Sequence, residues 1–377
     1  MLIKNKIILI ISILFLTFIF LSFKFKSFIF FLLSIIILSF TLLLIKKINK
    51  NFLLAYFTFV ATFFLFEVLL KVDFNEIFKF KKSPKDNEAI ISYDNFKYKK
   101  TYLGNQLREG SFNHYKKRAD NSFVFNQNYE INKDNFKINK LIKNKSNKLL
   151  KASFFGGSDI FGWGLSNSET LPYLFYEQNK DYNIFNYGIL GGAVNQTLQM
   201  IKNNNDYLGD INVLVASSFQ LPRISCNRDY SFNTPSFEII NDKLKFAGYC
   251  IFSFLKLNSQ VPRIVGSIIN RSELIKLLNK TLTKEASSEN IKLYVAMIKE
   301  INEISKSKNK NIVILYYGPK SKSDKEIIAL LIKNEIPFID VSLNDKKFKI
   351  EHDKHFNKLA NEIWLDKLNK YLISLKS

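Results

Sequence analysis

Three long apolar runs open the sequence, and they constrain what this chain can fold into more than any other feature does. They cover residues 7–23, 28–45 and 52–70, with short lysine-bearing stretches between them. Each run is close to the roughly 20 residues with which an α-helix crosses the hydrocarbon core of a bilayer. A cleaved signal peptide would have a shorter apolar centre and a cleavage site of small residues. The sequence therefore predicts a membrane anchor of three transmembrane helices within residues 1–71.

The orientation of this anchor follows from the number of crossings. Lysines flank the runs on both sides, so the usual excess of positive charge on cytoplasmic loops does not fix the orientation by itself. Three crossings that start from a cytoplasmic N-terminus put the rest of the chain outside the cytoplasm. We therefore expect an integral membrane protein with an extracytoplasmic C-terminal domain, and its first expected partner is the lipid bilayer.

The composition excludes several other classes of protein. The 377 residues include 55 Lys and Arg against 33 Asp and Glu, a formal net charge of +22. This excess comes with many Asn, Ile and Phe residues, which an A/T-rich coding bias enriches together. Since no compact basic block with interleaved aromatic residues is present, we expect no nucleic-acid partner. No close set of His, Cys and carboxylate residues indicates a metal site, and we expect no cofactor. The sequence does not indicate an oligomeric state.

The segment that follows the apolar runs, residues 72–148, differs from them in composition and in residue pattern. It is rich in Lys, Asn, Asp and aromatic residues, and apolar and polar residues alternate briefly at 122–125 and 129–131. Such alternation is typical of short strands. We predict an irregular juxtamembrane connector with a few short strands, and we expect His114, in a polar stretch, to be a solvated surface residue.

Strands and helices alternate from residue 149 to the C-terminus. The apolar runs that predict strands lie at residues 150–155, 183–187, 211–216, 311–317 and 337–341. The third of them is almost continuously aliphatic, as in parallel sheets whose strands are buried on both faces. This order predicts an α/β domain over residues 149–377, with an open parallel sheet covered by helices on both faces. Functional sites of such sheets gather at the carboxyl ends of the strands.

The two cysteines lie in a segment that follows the third predicted strand. A disulfide between Cys226 and Cys250 would suit an oxidising compartment and would stabilise the fold by about 3 kcal/mol in the chain-entropy description. Two separate thiols are the alternative, but the expected topology favours the disulfide. We interpret residues 226–250 as an insertion at the edge of the site, a candidate lid or substrate-binding loop.

Candidate catalytic residues occur at two of the strand ends. Ser158 follows the first strand after two glycines, which permit a sharp turn, and Asp353 and His355 follow the last strand. A serine hydroxyl needs a base to act as a nucleophile, and a carboxylate holds an imidazole base in the required tautomer. The three residues are therefore candidates for one nucleophilic site. Two of them also have a structural interpretation: Ser158 in a glycine-rich turn and His355 beside the last helix.

At these residues the chain resembles the SGNH hydrolases, also called GDSL-type esterases, and in particular a membrane-anchored bacterial branch of them. Three sequence blocks in the family's order carry the resemblance, over roughly residues 149–375: Gly156-Gly157-Ser158, Asn186-Tyr187-Gly188-Ile189-Leu190-Gly191, and Asp353 with His355. The resemblance implies a three-layer SGNH-like fold with a parallel sheet. It also implies a catalytic triad of Ser158, His355 and Asp353, and an oxyanion hole made by the backbone N–H groups of Ser158 and Gly191.

The sequence departs from the family pattern in two blocks. The last block usually reads Asp-x-x-His, whereas one residue separates Asp353 from His355, and Asp340 is an alternative orienting acid. The family has one more block, directly after the third strand, which usually supplies an asparagine amide to the oxyanion hole, and here no asparagine stands there. We expect Gln220 to donate the missing hydrogen bond, Arg223 to position an anionic group of the substrate, and Trp163 to line the acyl pocket.

These features lead to two expectations of different class. The first is a membrane-anchored serine esterase or O-acyltransferase of the bacterial cytoplasmic membrane, which acts through an acyl-serine intermediate. Its substrates would be ester groups of cell-envelope glycan or lipid. The second is a catalytically inactive SGNH-like module that binds glycan or a partner in an envelope assembly, because the altered block after the third strand lacks one expected oxyanion donor. The sequence does not distinguish hydrolysis from transfer.

Overall fold

The computed structural model describes residues 58, 62, 91–118, 120–143, 150–226, 233–250 and 287–375. The predicted anchor over residues 1–71 lies outside these residues, apart from two helical positions at 58 and 62. Within the described ranges, no helix combines the length and the apolar character needed to cross a bilayer. The three membrane-spanning helices and the extracytoplasmic location thus stay predictions.

The chain divides into two units, and nearly all described residues belong to the one formed by residues 86–250 and 284–377. In chain order, its strands are β1 (Ile91–Asp94), β2 (Tyr98–Thr101), β3 (Gly104–Leu107), β4 (Gly110–Lys117), β5 (Phe123–Ile131), β6 (Lys137–Ile138), β7 (Leu150–Gly156), β8 (Tyr182–Gly188), β9 (Ile211–Ser217), β10 (Pro235–Ile240), β11 (Lys243–Tyr249), β12 (Asn311–Tyr317) and β13 (Phe338–Asp340). Its α-helices are α1 (Ser158–Phe161), α2 (Leu171–Gln178), α3 (Val194–Asn203), α4 (Leu221–Ile224), α5 (Ser288–Ser307), α6 (Lys322–Lys333) and α7 (Lys358–Ser374).

A parallel sheet of five strands lies at the centre of this unit, in the order β13-β12-β9-β7-β8. These are the five strands that the sequence predicts, and each end lies within one residue of its predicted position. The central strand β9 is buried at every position, as expected for a strand covered on both faces. The predicted α/β fold with a parallel sheet is confirmed.

Helices cover both faces of the sheet, which gives three layers. Side chains alternate along β9, so Val213 and Val215 pack with α2 and α7, while Leu214 and Ala216 pack with α3, α5 and α6. Polar caps fix where the long helices begin. For example, the Asn357 side chain accepts a hydrogen bond from the backbone N–H of Ala360 at the start of α7. This cap ends the loop that contains Asp353 and His355 and starts α7 directly after it.

The predicted connector is more regular than the sequence indicates. Strands β1, β4, β5 and β6 form an antiparallel sheet, and β2 and β3 form a separate hairpin. The two short alternating stretches predicted at 122–125 and 129–131 belong to one strand, β5, which pairs along its length with β4. This sheet has its own apolar cluster, in which Phe112 and Tyr129 pack against Phe161 of α1. The antiparallel sheet is therefore joined to the α/β layers next to Ser158.

An unusual lysine lies in this contact. Lys137 of β6 is 4% exposed, and its Nζ lies 4.5 Å from the ring centre of Tyr129 and 5.3 Å from that of Phe161. No hydrogen-bond acceptor for this Nζ occurs among the described residues. Loss of hydration disfavours the charged form, which lowers the pKa of Lys137 to about 7. The charged form of Lys137 therefore lowers the free energy of unfolding at neutral pH.

We expect Lys137→Met to raise the free energy of unfolding at pH 7 by roughly 1–3 kcal/mol, because an unpaired buried charge is removed. In the wild type the folded pKa lies below the unfolded value of 10.5. The unfolded chain therefore holds the extra proton between the two values, and stability rises as the pH rises through this window. Thermal unfolding at pH 7 and at pH 9.5 should show that the advantage of the variant shrinks at the higher pH. Lys133→Met, at an exposed position, is the control. A variant less stable than the wild type at pH 7 contradicts the prediction.

Candidate active site

The turn after β7 presents Ser158 at the carboxyl end of the sheet. A Cβ atom built on Gly157 would lie 3.0 Å from the Gly192 carbonyl oxygen and 3.2 Å from Arg223 Nη1. A side chain at this position would force these neighbours to shift by a few tenths of an ångström. Ser158 then begins the four-residue helix α1. It is 7% exposed, so its side chain is largely shielded from solvent.

The loop before α7 brings Asp353 and His355 to this serine. His355 Nε2 lies 2.8 Å from Ser158 Oγ, and His355 Nδ1 lies 2.6 Å from Asp353 Oδ1. The same carboxylate oxygen accepts the backbone N–H of His355 at 3.0 Å. Asp340, the alternative acid, instead accepts the backbone N–H of Ser342. The structure therefore joins Ser158, His355 and Asp353 in one hydrogen-bonded chain, and Asp340 is not part of it.

The second oxygen of Asp353 has a partner from the antiparallel sheet. Lys116 of β4 donates to Asp353 Oδ2 at 3.1 Å and to the His352 carbonyl oxygen at 2.6 Å. Burial by itself would raise the pKa of Asp353, but the hydrogen bonds from His355 and Lys116 outweigh burial and hold this pKa well below its usual range. The carboxylate is therefore ionised at neutral pH. Nothing in the sequence pattern indicates Lys116, because it lies far from the loop along the chain.

A second ion pair joins the residue that follows β4 to the same loop. The Arg118 guanidinium pairs with the Glu351 carboxylate, two residues before Asp353. Together with Lys116, it fixes the loop to the antiparallel sheet at two points.

His114 of β4 is not a surface residue. It is fully buried, with its ring centre 4.0 Å from that of Trp163 and 4.7 Å from that of Phe125. The prediction that His114 is solvated is wrong, because the alternation of β4 turns this side chain toward the same core as Phe112. Loss of hydration lowers the pKa of His114 to about 4, so this ring is neutral at pH 7 and packs as an aromatic group.

A pocket of about 520 Å³ opens beside the serine. Its described lining consists of Tyr98, Asn105, Ser158, Trp163, Leu190, Gly191, Arg223 and His355. Trp163, whose ring centre lies 5.4 Å from that of His355, and Arg223 therefore share the pocket with Ser158. Tyr98 and Asn105 come from the β2–β3 hairpin, and no sequence motif marks them.

The backbone N–H groups of Ser158 and Gly191 are available at this pocket. Neither has a hydrogen-bond acceptor within the described chain. Gly191 has a φ of 68°, a left-handed conformation that favours glycine, and the turn is closed by the Gly192 N–H, which donates to the Ile189 carbonyl at 2.8 Å. Both residues line the cavity with the serine hydroxyl.

Gln220 does not reach the pocket. Its Nε2 donates to the Val215 carbonyl oxygen at 3.3 Å, and its Oε1 accepts from the Tyr294 hydroxyl at 3.2 Å. The position predicted for Gln220 in an oxyanion hole is therefore wrong. A 3₁₀ turn over Ser218–Gln220 follows β9 and turns the amide back under the strand. From the next turn, α4, Arg223 extends to the pocket instead and donates from Nη1 to the Gly192 carbonyl oxygen at 2.6 Å.

The predicted insertion is a disulfide-linked hairpin. Cys226 and Cys250 are bonded, with their Cα atoms 5.3 Å apart. Strands β10 and β11 lie between them and pair antiparallel, and Phe237 of β10 packs into the core on the α3 and α5 side. Of the described residues in this hairpin, 233–250, none lines the pocket. They give no support to the predicted lid.

Comparisons with known proteins find only distant structural similarity. No protein-family model matches the chain, and a search of curated proteins finds no match. Among solved structures, the chain is similar to a protein assigned to the G-D-S-L family of lipolytic proteins from Desulfitobacterium hafniense DCB-2. The TM-score is 0.35 and the identity 9%, over 59% of this chain and 98% of that one. It is also similar to an acetyl xylan esterase from the rumen bacterium Butyrivibrio proteoclasticus, with a TM-score of 0.33 and 13% identity over 61% and 64% of the two chains. A likeness this weak assigns no function.

Proposed function

We propose that this chain is a serine esterase or O-acyltransferase that forms an acyl-serine intermediate on Ser158. The observation that carries the proposal is the pair of contacts from His355, 2.8 Å to the serine oxygen and 2.6 Å to the Asp353 carboxylate. A hydroxyl, an imidazole and an ionised carboxylate in this order form the arrangement that activates serine for attack on a carbonyl carbon. The three sequence blocks that resemble SGNH hydrolases contain the same residues.

The first half of the reaction acylates the serine. Ser158 Oγ bonds to the ester carbonyl carbon while its proton passes to His355 Nε2, and the carbonyl oxygen becomes an oxyanion. When this intermediate collapses, the bond to the alcohol oxygen breaks and His355 returns the proton to the leaving alcohol. Asp353 keeps the proton of His355 on Nδ1, so that Nε2 can accept.

The oxyanion needs donors in the pocket, since such donors are worth about 10²–10³-fold in rate each. The backbone N–H groups of Ser158 and Gly191 are the candidates, because both residues line the pocket and their N–H groups lack other acceptors in the described chain. The Arg223 guanidinium adds a positive charge to the same wall, which favours either the oxyanion or an anionic substituent of the substrate.

The second half of the reaction removes the acyl group. His355 takes a proton from water, whose oxygen bonds to the acyl-serine carbon. The bond from that carbon to Ser158 Oγ then breaks, His355 returns the proton to Ser158 Oγ, and a carboxylic acid leaves. If the hydroxyl of another molecule takes the place of water, the product is a new ester. We extend the proposal to ester groups of cell-envelope glycan or lipid, because the three apolar runs predict a membrane anchor and an extracytoplasmic domain.

A catalytically inactive binding module is the second candidate. The position of Gln220 favours it, because the amide expected in the oxyanion hole is engaged elsewhere. On this interpretation the pocket would bind a glycan or a partner without cleaving an ester.

A fluorophosphonate probe separates the two candidates. We expect the probe to label the full-length wild type in detergent, because an activated serine attacks phosphorus as it attacks an acyl carbon, and to leave Ser158→Ala unlabelled. Ser168→Ala, at an exposed serine in the following loop, is the matched control and should label like the wild type. A wild type that is neither labelled nor active on aryl acetates, but binds glycan, would support the inactive module instead.

A further inference from the structure

One face of β4 lies along the turn that carries the serine. Phe112 belongs to the same apolar cluster as Phe161, the last residue of α1. The ring of His114 lies 4.0 Å from that of Trp163, which lines the pocket. Alternate side chains of a strand share a face, so the next residue of this series is Lys116. This strand therefore brings an ammonium group to the edge of the site.

Lys116 binds two acceptors in the loop before α7. Its Nζ donates to Asp353 Oδ2 at 3.1 Å and to the His352 carbonyl oxygen at 2.6 Å. The side chains of Lys116 and Asp353 are 14% and 13% exposed, so solvent screens this pair less than it screens an ion pair on an open surface. The two acceptors belong to consecutive residues. A single ammonium group thus holds the carboxylate and the backbone next to it.

The carboxylate needs a second point of attachment, because the imidazole uses one of its oxygens only. Asp353 Oδ1 accepts from His355 Nδ1 at 2.6 Å, whereas Lys116 is the donor to Oδ2 within the described residues. The terminal torsion of an aspartate has a broad distribution and does not fix the carboxylate by itself. His352 has a φ of 51°, which is uncommon outside glycine. Without Lys116, this carboxylate and this carbonyl would lose the partner that they share.

We propose that Lys116 is a positioning residue of the catalytic centre, which keeps Oδ1 of Asp353 directed at His355. It does so by holding Oδ2 and the neighbouring carbonyl oxygen. Lys116 is not among the described residues that line the pocket, so it acts through the acid and not on the substrate. This inference rests on the proposed esterase function and extends the working enzyme to the antiparallel sheet.

Replacement of Lys116 by methionine tests this role in the full-length protein. We expect kcat on an aryl acetate to fall by about 10²-fold, because a displacement of about 1 Å in a catalytic group can cost that much. KM should change by less than about threefold, because the residue does not line the pocket. Lys117→Met is the matched control, since Lys117 lies over the rings of Tyr115 and Phe123. It should change kcat by less than about threefold.

A double-mutant cycle with Asp353→Asn separates positioning from a general loss of stability. If Lys116 acts through the acid, its loss has little further effect once the acid is gone. Lys116→Met should then lower kcat by less than about threefold in the Asp353→Asn background. Two independent losses would multiply instead.

An arginine at position 116 provides a second variant if the methionine variant does not fold. Its forked guanidinium keeps the charge and can donate to two acceptors. We expect Lys116→Arg to retain kcat within about tenfold of the wild type. A folded arginine variant as slow as the expected methionine variant contradicts the proposal.

The remaining outcomes separate this inference from the function on which it rests. If Lys116→Met keeps the wild-type kcat, raises KM instead, or multiplies its loss with that of Asp353→Asn, Lys116 is not a positioning residue while the esterase stands. A wild type that is inert on aryl acetates and resists the fluorophosphonate probe overturns both.

Discussion

Replacement of His355 by alanine is expected to lower kcat on an aryl acetate by about 10⁶-fold, as the loss of a catalytic base does in other serine enzymes. The reason is the contact between His355 Nε2 and Ser158 Oγ at 2.8 Å, because the serine hydroxyl has no other base within the described site to receive its proton. A steady-state assay of the full-length protein, with the fluorophosphonate probe as a second readout, measures the loss. Labelling should disappear together with turnover.

The neighbouring histidine provides the control. His352 has a φ of 51°, so asparagine, which tolerates this conformation, is a better replacement than alanine. His352 lies beside Glu351, at 3.1 Å from Nε2 to Oε1, and it has no contact with Ser158. His352→Asn should therefore change kcat by less than about threefold. If His352→Asn were as damaging as His355→Ala, the base would be misassigned.

Replacement of Asp353 by asparagine is expected to lower kcat by about 10⁴-fold while the protein remains folded. An asparagine amide can donate to His355 Nδ1, which would move the imidazole proton to Nε2. In that tautomer Nε2 cannot accept the proton of Ser158. Steady-state kinetics measure the loss, and thermal unfolding measures whether the fold is kept.

The matched control for this change is Asp340→Asn at the end of β13. Asp340 accepts the backbone N–H of Ser342 at 2.9 Å, and it makes no contact with the imidazole. We expect less than about a threefold effect on kcat, with some loss of stability from the weakened turn. The reverse result, a severe loss at Asp340 and a mild one at Asp353, would contradict the assignment of the orienting acid.

The parallel sheet and the three central residues of the site could be predicted from the sequence for a common reason. Short apolar runs alternate with helical stretches, so the strands and their carboxyl ends can be located without tertiary information. Ser158 lies two residues after the first of these ends, and Asp353 and His355 lie in the loop that follows the last of them. Parallel strands of one sheet carry their carboxyl ends to the same edge, so both segments are expected at that edge, although β9 and β12 lie between β7 and β13.

The rest of the site depends on contacts that no local pattern encodes. Lys116 reaches Asp353 across 237 positions of sequence, and Tyr98 and Asn105 enter the pocket from a hairpin whose packing partner is elsewhere in the chain. His114 appears polar in its sequence context, and only the pairing of β4 shows that it is enclosed by rings. The sequence predicts Gln220 in the oxyanion hole, but the 3₁₀ turn over Ser218–Gln220 directs its side chain away from the pocket. Composition does not reveal such a turn.

The loop at residues 351–355 is attached to the antiparallel sheet, and this attachment determines which part of the chain must be kept for the site to work. The serine, the imidazole and the acid all lie in the α/β region, but the groups that hold the acid in place precede that region along the chain. If residues 149–377 alone were transferred to another protein, Ser158, His355 and Asp353 would be transferred without Lys116 and Arg118. The smallest segment that keeps the site and its supporting sheet together therefore begins at or before β1.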